Sequence, residues 1–183
     1  MRVSVQTSVD ELVEKQLAEI YHAAFEPLEV LSPARQSFTD DELLSQLRSD
    51  KVFKFIGLDR NDVPCAMALL ATDLTEVPWI SPRYFAHHYP QWYDRGKIYY
   101  VSTVMVAPDQ RQAGAWIVAM LRAFTRKTAA DGALMAFDFC QANVEGGGLR
   151  RATDVVARRM FERVEWTALD TQHYHALFME GLK

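Results

Sequence analysis

With 183 residues, 49% of them hydrophobic and 24% charged, the chain has the make-up of one soluble globular domain, taken here as residues 1–183. No run approaches the ~18 apolar residues of a membrane span, and a net charge of −4 argues against a general nucleic-acid binder, which needs a basic face. The charge is uneven: residues 1–50 hold ten acids and four bases, which leaves +2 on the other 133 residues, either as scattered surface arginines or as a local basic zone able to hold a small phosphorylated ligand.

The chain opens on Met1-Arg2-Val3-Ser4-Val5-Gln6, which lacks the apolar core of a signal peptide and reads from Val3 as a short strand. Ser8 or Asp10 caps a helix to about Phe25, with Leu12, Leu17, Ile20 and Ala24 on one side. Pro27 and Pro33 break it, and Thr39 then caps a second helix whose first turn is acidic. "KVFKFIGLD" and "CAMALLATD" form a hairpin about Arg60-Asn61-Asp62. A long irregular section is expected from Thr75 to Gly96. "KIYYVSTVMV" is apolar on both faces, as a central strand should be. A helix follows from Arg111 to Lys127 with Ile117, Met120, Leu121 and Phe124 on one face, then the strand "ALMAFDFCQ" and a break at Gly146-Gly147-Gly148. Leu149–Val164 is the last helix, and "TALDTQHYHALFME" closes the chain as one or two strands. The order gives a mixed α/β domain on one sheet. Cys65 and Cys140 lie far apart in apolar runs, as the buried free thiols of a cytoplasmic protein do.

The turn after the central strand carries the first chemical signal. A helix N-terminus exposes unpaired N–H groups and the positive end of the helix dipole. Ala113, Gly114 and Ala115 let an anion approach those amides closely, and Arg111 adds a forked donor suited to phosphate. Many helices start this way and bind nothing.

The stretch Val106-Ala107-Pro108-Asp109-Gln110-Arg111-Gln112-Ala113-Gly114-Ala115-Trp116 resembles the core motif of the GNAT superfamily of acyl-CoA-dependent N-acyltransferases, V-x-P followed by x-x-R-x-x-G-x-(G/A), and matches it at Val106, Pro108, Arg111 and Gly114. A second pattern of that family, N-x-x-A-x-x-L-Y-x-x-x-G-F, falls in register on Asp154 to Trp166, with Ala157 identical and Met160, Phe161 and Trp166 similar in type. The resemblance implies a single mixed sheet with helices on both faces and a splayed central strand pair. It implies that acetyl-CoA or another acyl-CoA is the co-substrate, its pantetheine along Val104, Met105 and Val106 and its diphosphate on the amides of Gln112 to Trp116 beside Arg111. Trp116 stands where the family has glycine or alanine, so its indole is expected either to crowd the diphosphate or to swing aside and cover the adenine or pantetheine. Phe161 replaces a tyrosine that protonates the leaving thiolate, Asp154 an asparagine and Glu165 a glycine.

Amine acylation needs a route for the amine proton and a donor for the oxyanion. Tyr99 to Val106 holds no carboxylate. Ser102 and Thr103 are placed to order a water. Asp138, on the next strand, either faces the cleft or is buried against an arginine. Tyr174 is the candidate donor to the thiolate, with His173 and His175 on the opposite strand face, and a merely solvated face explains the pair as well. The segment "PWISPRYFAHHYPQWYDRG" supplies candidate substrate contacts, Tyr84, Phe85, His88 and Trp92, as an apolar lid; packing on the sheet, or a homodimer contact rich in aromatics, explains the same composition. His87-His88 makes no metal site, since adjacent residues seldom chelate together.

Three readings follow from the resemblance. The first is an acetyl-CoA-dependent N-acyltransferase acting on a small-molecule amine, with no metal and with neither nucleic acid nor membrane as partner. The second is a longer-chain acyltransferase similar to autoinducer synthases and N-acyl amino acid synthases. The third is a non-catalytic acyl-CoA-binding protein.

Overall fold

The computed structural model describes residues 2–33, 35, 37–110, 112–145 and 148–176. At its centre is β3, Pro64–Ala71, every residue of which is buried. Such a run lacks polar alternation because helices cover both of its faces. β2, Val52–Leu58, pairs antiparallel with β3, and β1, Arg2–Gln6, pairs antiparallel with β2. The β2–β3 turn is fixed by Asp59, whose carboxylate accepts from the amides of Asn61 and Val63 at 2.8 and 2.9 Å, with Asp62 at φ 61° closing it. β4, Ile98–Val106, runs antiparallel to β3, and β5, Leu134–Phe137, runs parallel to β4, so the sheet order is β1-β2-β3-β4-β5.

One face is covered by α1, Glu11–Phe25, α2, Asp40–Arg48, and α3, Pro82–His88; the opposite face by α5, Ala113–Ala130, and α7, Leu149–Met160. Short helices α4, Pro90–Tyr93, and α6, Gln141–Glu145, complete the set. Asp10 caps α1 by accepting from Val13 N, and Thr39 with Glu42 forms a capping box on α2. In α1 the buried stripe is turned from the expected one. Leu17 is central to it, Ile20 and Ala24 pack at its edge, and Leu12 is 68% exposed. Glu14 takes a buried place in the stripe because Arg48 forks onto its carboxylate at 2.7 and 2.8 Å. That fork holds the Glu14 carboxyl below the usual carboxylate range. A second buried charge is Lys54 of β2, whose ammonium donates to Thr7 O at 2.8 Å and to Ser49 O, joining the entry to α1 with the exit from α2.

Besides α5, which runs from Ala113 to Ala130 rather than from Arg111 to Lys127, four expectations differ more widely. The section from Thr75 to Gly96 is mostly helical, because Pro82 and Pro90 each sit in the first turn of a short helix, where their fixed φ and missing N–H cost nothing. The strand 133–141 shortens to Leu134–Phe137 before the chain turns into α6. The last helix stops at Met160, with Phe161 extended. The closing strands expected over residues 167–180 do not form among the described residues, which run irregularly to Ala176; residues 177–180 lie outside the description. Side chains hold this segment in place of a ladder. Trp166 donates to Asp154 at 2.7 Å and packs on Phe137, Tyr84 donates to Leu169 O at 3.1 Å, and Asp170 accepts from the amide of Thr171, a local bond that competes with strand pairing.

Candidate active site

The geometry of interest begins where β4 outruns β5. The parallel ladder has four rungs, from Ile98–Leu134 to Val101–Phe137. β4 continues for five more residues, Ser102–Val106, and among the described residues no strand pairs with that length on the β5 side. The strands therefore part at Ser102 and Asp138, and the backbone groups of one β4 edge are left for another partner.

The register slips at the same point. Leu69 pairs with Thr103 and Leu70 with Val101, so Ser102 is an extra residue without an opposite number. A bulge of this kind shifts the alternation by one. Ile98, Tyr100, Thr103 and Met105 face α1 and α3, whereas Tyr99, Val101, Val104 and Val106 face α5. Ser102 Oγ is buried and has no hydrogen-bond partner among the described residues. Thr103 Oγ1 lies near the Tyr21 hydroxyl without closing a full hydrogen bond. The Tyr21 hydroxyl itself accepts from Phe38 N at 2.6 Å, and burial pushes its pKa up to about 12.

Past Val106 the chain turns at Ala107–Gln112 and enters α5 at Ala113. Gln112, the N-cap, makes no side-chain cap. The amides of Ala113, Ala115 and Trp116 donate to Gln110 O, Gln112 O and Gln112 O. Those of Gln112 and Gly114 have no acceptor among the described residues. Among the described residues, and apart from its chain neighbours and its own helical turn, a Cβ added to Gly114 would meet no atom within 4 Å. Arg111 lies outside the described residues. Trp116 departs from both expectations for its side chain. It is 4% exposed, and its ring lies against Gly57 of β2, in the layer between α5 and the sheet. The indole neither crowds the turn nor covers it.

On the other side of the parting, Tyr100 donates to Asp138 Oδ1 at 2.6 Å. Asp138 is exposed, one residue beyond the last rung of β5, and its partner is this phenol rather than an arginine. Burial first, then the Asp138 charge, raises the Tyr100 pKa far above that of an ordinary phenol, so the group remains a donor. Sequence reasoning passed over Tyr100, because one tyrosine in an apolar strand looks like core, and the bulge at Ser102 beside it shows only in the strand register. The Trp79 indole lies beside the same hydroxyl and packs on Phe38 at a centroid distance of 4.9 Å.

Of the expected substrate contacts, Phe85 is 3% exposed and belongs to the core. Tyr84 lies 4.4 Å from His88, ring to ring, with its hydroxyl on Leu169 O, and Trp92 is half-buried near Tyr89. Tyr174 is 53% exposed on the irregular segment and donates to Gln172 at 2.8 Å. Among the described residues no group of three His, Cys, Asp or Glu side chains is placed to hold a metal ion, and no helix is long and apolar enough to cross a membrane.

No protein-family model and no curated protein matches the chain. Solved structures do match its fold. AAC(6')-Iy in complex with the bisubstrate analogue CoA-S-monomethyl-acetylneamine is 16% identical, with a TM-score of 0.52 over 94% of this chain and 99% of that one. An aminoglycoside acetyltransferase, meta-AAC0020, from an uncultured soil metagenomic sample and in complex with trehalose, is 11% identical, with a TM-score of 0.51 over 96% of each chain. A mutant of the BH1408 protein from Bacillus halodurans is 13% identical, with a TM-score of 0.51 over 95% of this chain and all of that one.

Proposed function

We propose, from the GNAT-like fold that the chain shares with acetyltransferases, that this protein transfers an acyl group, most simply acetyl, from an acyl-CoA to the amine of a small molecule. The observation that carries this reading is the pairing of two open features. One is the unpartnered β4 edge from Ser102 to Val106; the other is the uncapped start of α5 with free space at Gly114.

In this reading the pantetheine amides pair with the backbone of Val104, Met105 and Val106, extending the sheet as a strand would. The diphosphate sits on the amides of Gln112 and Gly114, with Arg111 as its cationic donor and Ala113, Ala115 and the backbone of Trp116 completing the turn. The thioester then lies near the parting of the strands. The amine nitrogen attacks the thioester carbon, a C–N bond forms, and the C–S bond breaks with its electron pair leaving on sulfur. A backbone N–H of β4 stabilises the oxyanion. Asp138 receives the proton of the attacking amine, Ser102 orders a water beside it, and Tyr174 returns a proton to the thiolate. Tyr84, which packs on the buried Phe85, walls the acceptor side together with His88 and Trp92.

Calorimetric titration with free CoA, acetyl-CoA and decanoyl-CoA, followed by thiol release on a panel of amines, tests the reading. Tight CoA binding and amine-dependent thiol release are expected. No CoA binding sinks it, and a preference for decanoyl-CoA selects the longer-chain alternative. Phe161 favours a second reading, a protein that binds acyl-CoA without turnover, because phenylalanine has no proton to give.

A further inference from the structure

We infer that Tyr100, Asp138 and Trp79 form a receiving station for an alkylammonium acceptor, in which Asp138 takes the amine proton and Tyr100 is the positioning residue that aims it. The inference rests on the acyltransferase reading and specifies the chemistry of its acceptor.

Asp138 is exposed and, among the described residues, accepts one side-chain bond, from Tyr100, which leaves most of its lone pairs toward solvent. A carboxylate free to rotate would hold no defined direction. Here the 2.6 Å bond comes from a phenol that is itself locked, since Tyr100 is 2% exposed, lies inside the paired part of β4 and pairs with Ala71 and Ala136. Tyr100 and Asp138 lie on the same face of their strands, because Ala136, two residues before Asp138, sits in the cluster that contains Tyr100. The carboxylate thus points from the parting of the strands toward the side covered by α1 and α3.

Trp79 supplies the floor. It is 38% exposed, its ring is backed by Phe38, and it stands beside the Tyr100 hydroxyl. A half-open indole next to an aimed carboxylate is the pairing that attracts a cation, by charge on one side and by the ring quadrupole on the other. A neutral ligand gains little from either. The acceptor arrives as R–NH3+ and passes one proton to Asp138. Its nitrogen forms the C–N bond as the thioester C–S bond breaks, and the thiolate takes up a proton from water or from Tyr174. A second proton leaves the nitrogen for solvent as the amide forms, so charge and atoms balance.

A purely structural role, tying β4 to the end of β5, predicts a different result from the same variants. Tyr100→Phe keeps the buried ring and removes only the hydroxyl. With acetyl-CoA and tyramine, spermidine or neamine, kcat should fall about ten- to hundredfold while the KM for acetyl-CoA and the Tm hold. Asp138→Asn should fall at least as far, and the double variant no further than Asp138→Asn alone. Aniline, uncharged at neutral pH, should lose much less in either variant. Trp79→Leu should raise the KM of the alkylamines and leave that of acetyl-CoA. An active wild type with unchanged kcat in Tyr100→Phe, or equal losses for aniline and alkylamines, overturns the station and leaves the acyltransferase reading standing. If Tyr100→Phe fails to fold, an unchanged kcat in the exposed Asp138→Asn overturns the station by itself. A wild type that binds CoA but acylates none of these amines overturns the catalytic reading and the station together.

Discussion

The ring of Trp116 occupies the space that a side chain on Gly57 would need: a Cβ built at position 57 comes within 2.8 Å of the indole. Helix α5 thus seats its only tryptophan on bare backbone of β2, and the glycine is there for close approach rather than for an unusual φ. Gly57→Ala should destabilise the fold by about 1–3 kcal/mol, as overpacking does. Trp116→Phe should relieve part of that loss in the double variant, which urea denaturation can measure. Because the indole belongs to this layer, the fluorescence difference between wild type and Trp116→Phe should stay flat on titration with CoA. A strong response would mean that the ring reports on the turn after all.

The turn itself is tested by two substitutions. Gly114→Val adds its bulk on the side of the α5 start where a Cβ meets no described atom beyond its own helical turn, so Tm should change little while CoA affinity is lost. Arg111→Ala should weaken CoA by about 1–3 kcal/mol if that side chain donates to phosphate. Calorimetry showing unchanged affinity in both variants removes the diphosphate from this turn.

Lys54 makes stability depend on pH. Burial opposes its charge and lowers its pKa from 10.5 to about 8. Below about 8 the folded and unfolded chains both carry the proton, and the fold bears the cost of a desolvated ammonium. Between about 8 and 10.5 the unfolded chain binds more protons than the folded one, so stability rises with pH across that window. The rise attributable to Lys54 should approach ~3 kcal/mol. Lys54→Met should abolish it while leaving Thr7 O and Ser49 O unpaired. Denaturation midpoints of the two proteins at pH 7 and pH 10 decide the matter, and parallel shifts in both would assign the change to other groups.

Tyr174 is the proposed proton donor to the thiolate, since its side chain has an O–H to give and Phe161 has none. Tyr174→Phe should lower kcat by ~10² or more with the Kd of acetyl-CoA unchanged. Full kcat in that variant would hand thiolate protonation to solvent, in keeping with the exposure of the residue.

How much of this was legible in the sequence depends on whether local pattern or distant packing decided the outcome. The cap at Thr39, the hairpin at Asp59–Val63 and the face of Met120, Leu121 and Phe124 follow from short-range chemistry and took the expected form. Leu12 and Glu14 exchanged places because Arg48, 34 residues further on, supplies the partner that makes a buried glutamate tolerable. Trp116 was legible as an anomaly but not in its direction, which is set by the missing side chain at Gly57 on a different strand. The polar segment after Thr167 alternates well enough to resemble a strand, yet Asp170 accepts from the amide of Thr171 and Tyr84 donates to the carbonyl of Leu169, bonds that compete with a ladder. The parting of β4 from β5 came from family likeness alone, and the Tyr100–Asp138 bond depends on the length of β5, which no motif encodes.

The four-rung ladder between β4 and β5 also divides the molecule mechanically. Strands β1 to β4 form one continuous antiparallel ribbon, while β5, α6 and the chain beyond reach that ribbon through four parallel rungs, the packing of α5 and α7, and side-chain bonds such as Tyr100–Asp138 and Tyr84–Leu169. Parallel rungs so few in number form a seam, and amides along it should exchange with deuterium ahead of those buried in β3. A ligand laid along Ser102–Val106 would lengthen the seam from its open end, as a zip fastener is closed by its slider. Protection would then spread to Leu134–Phe137, residues that the ligand itself never touches.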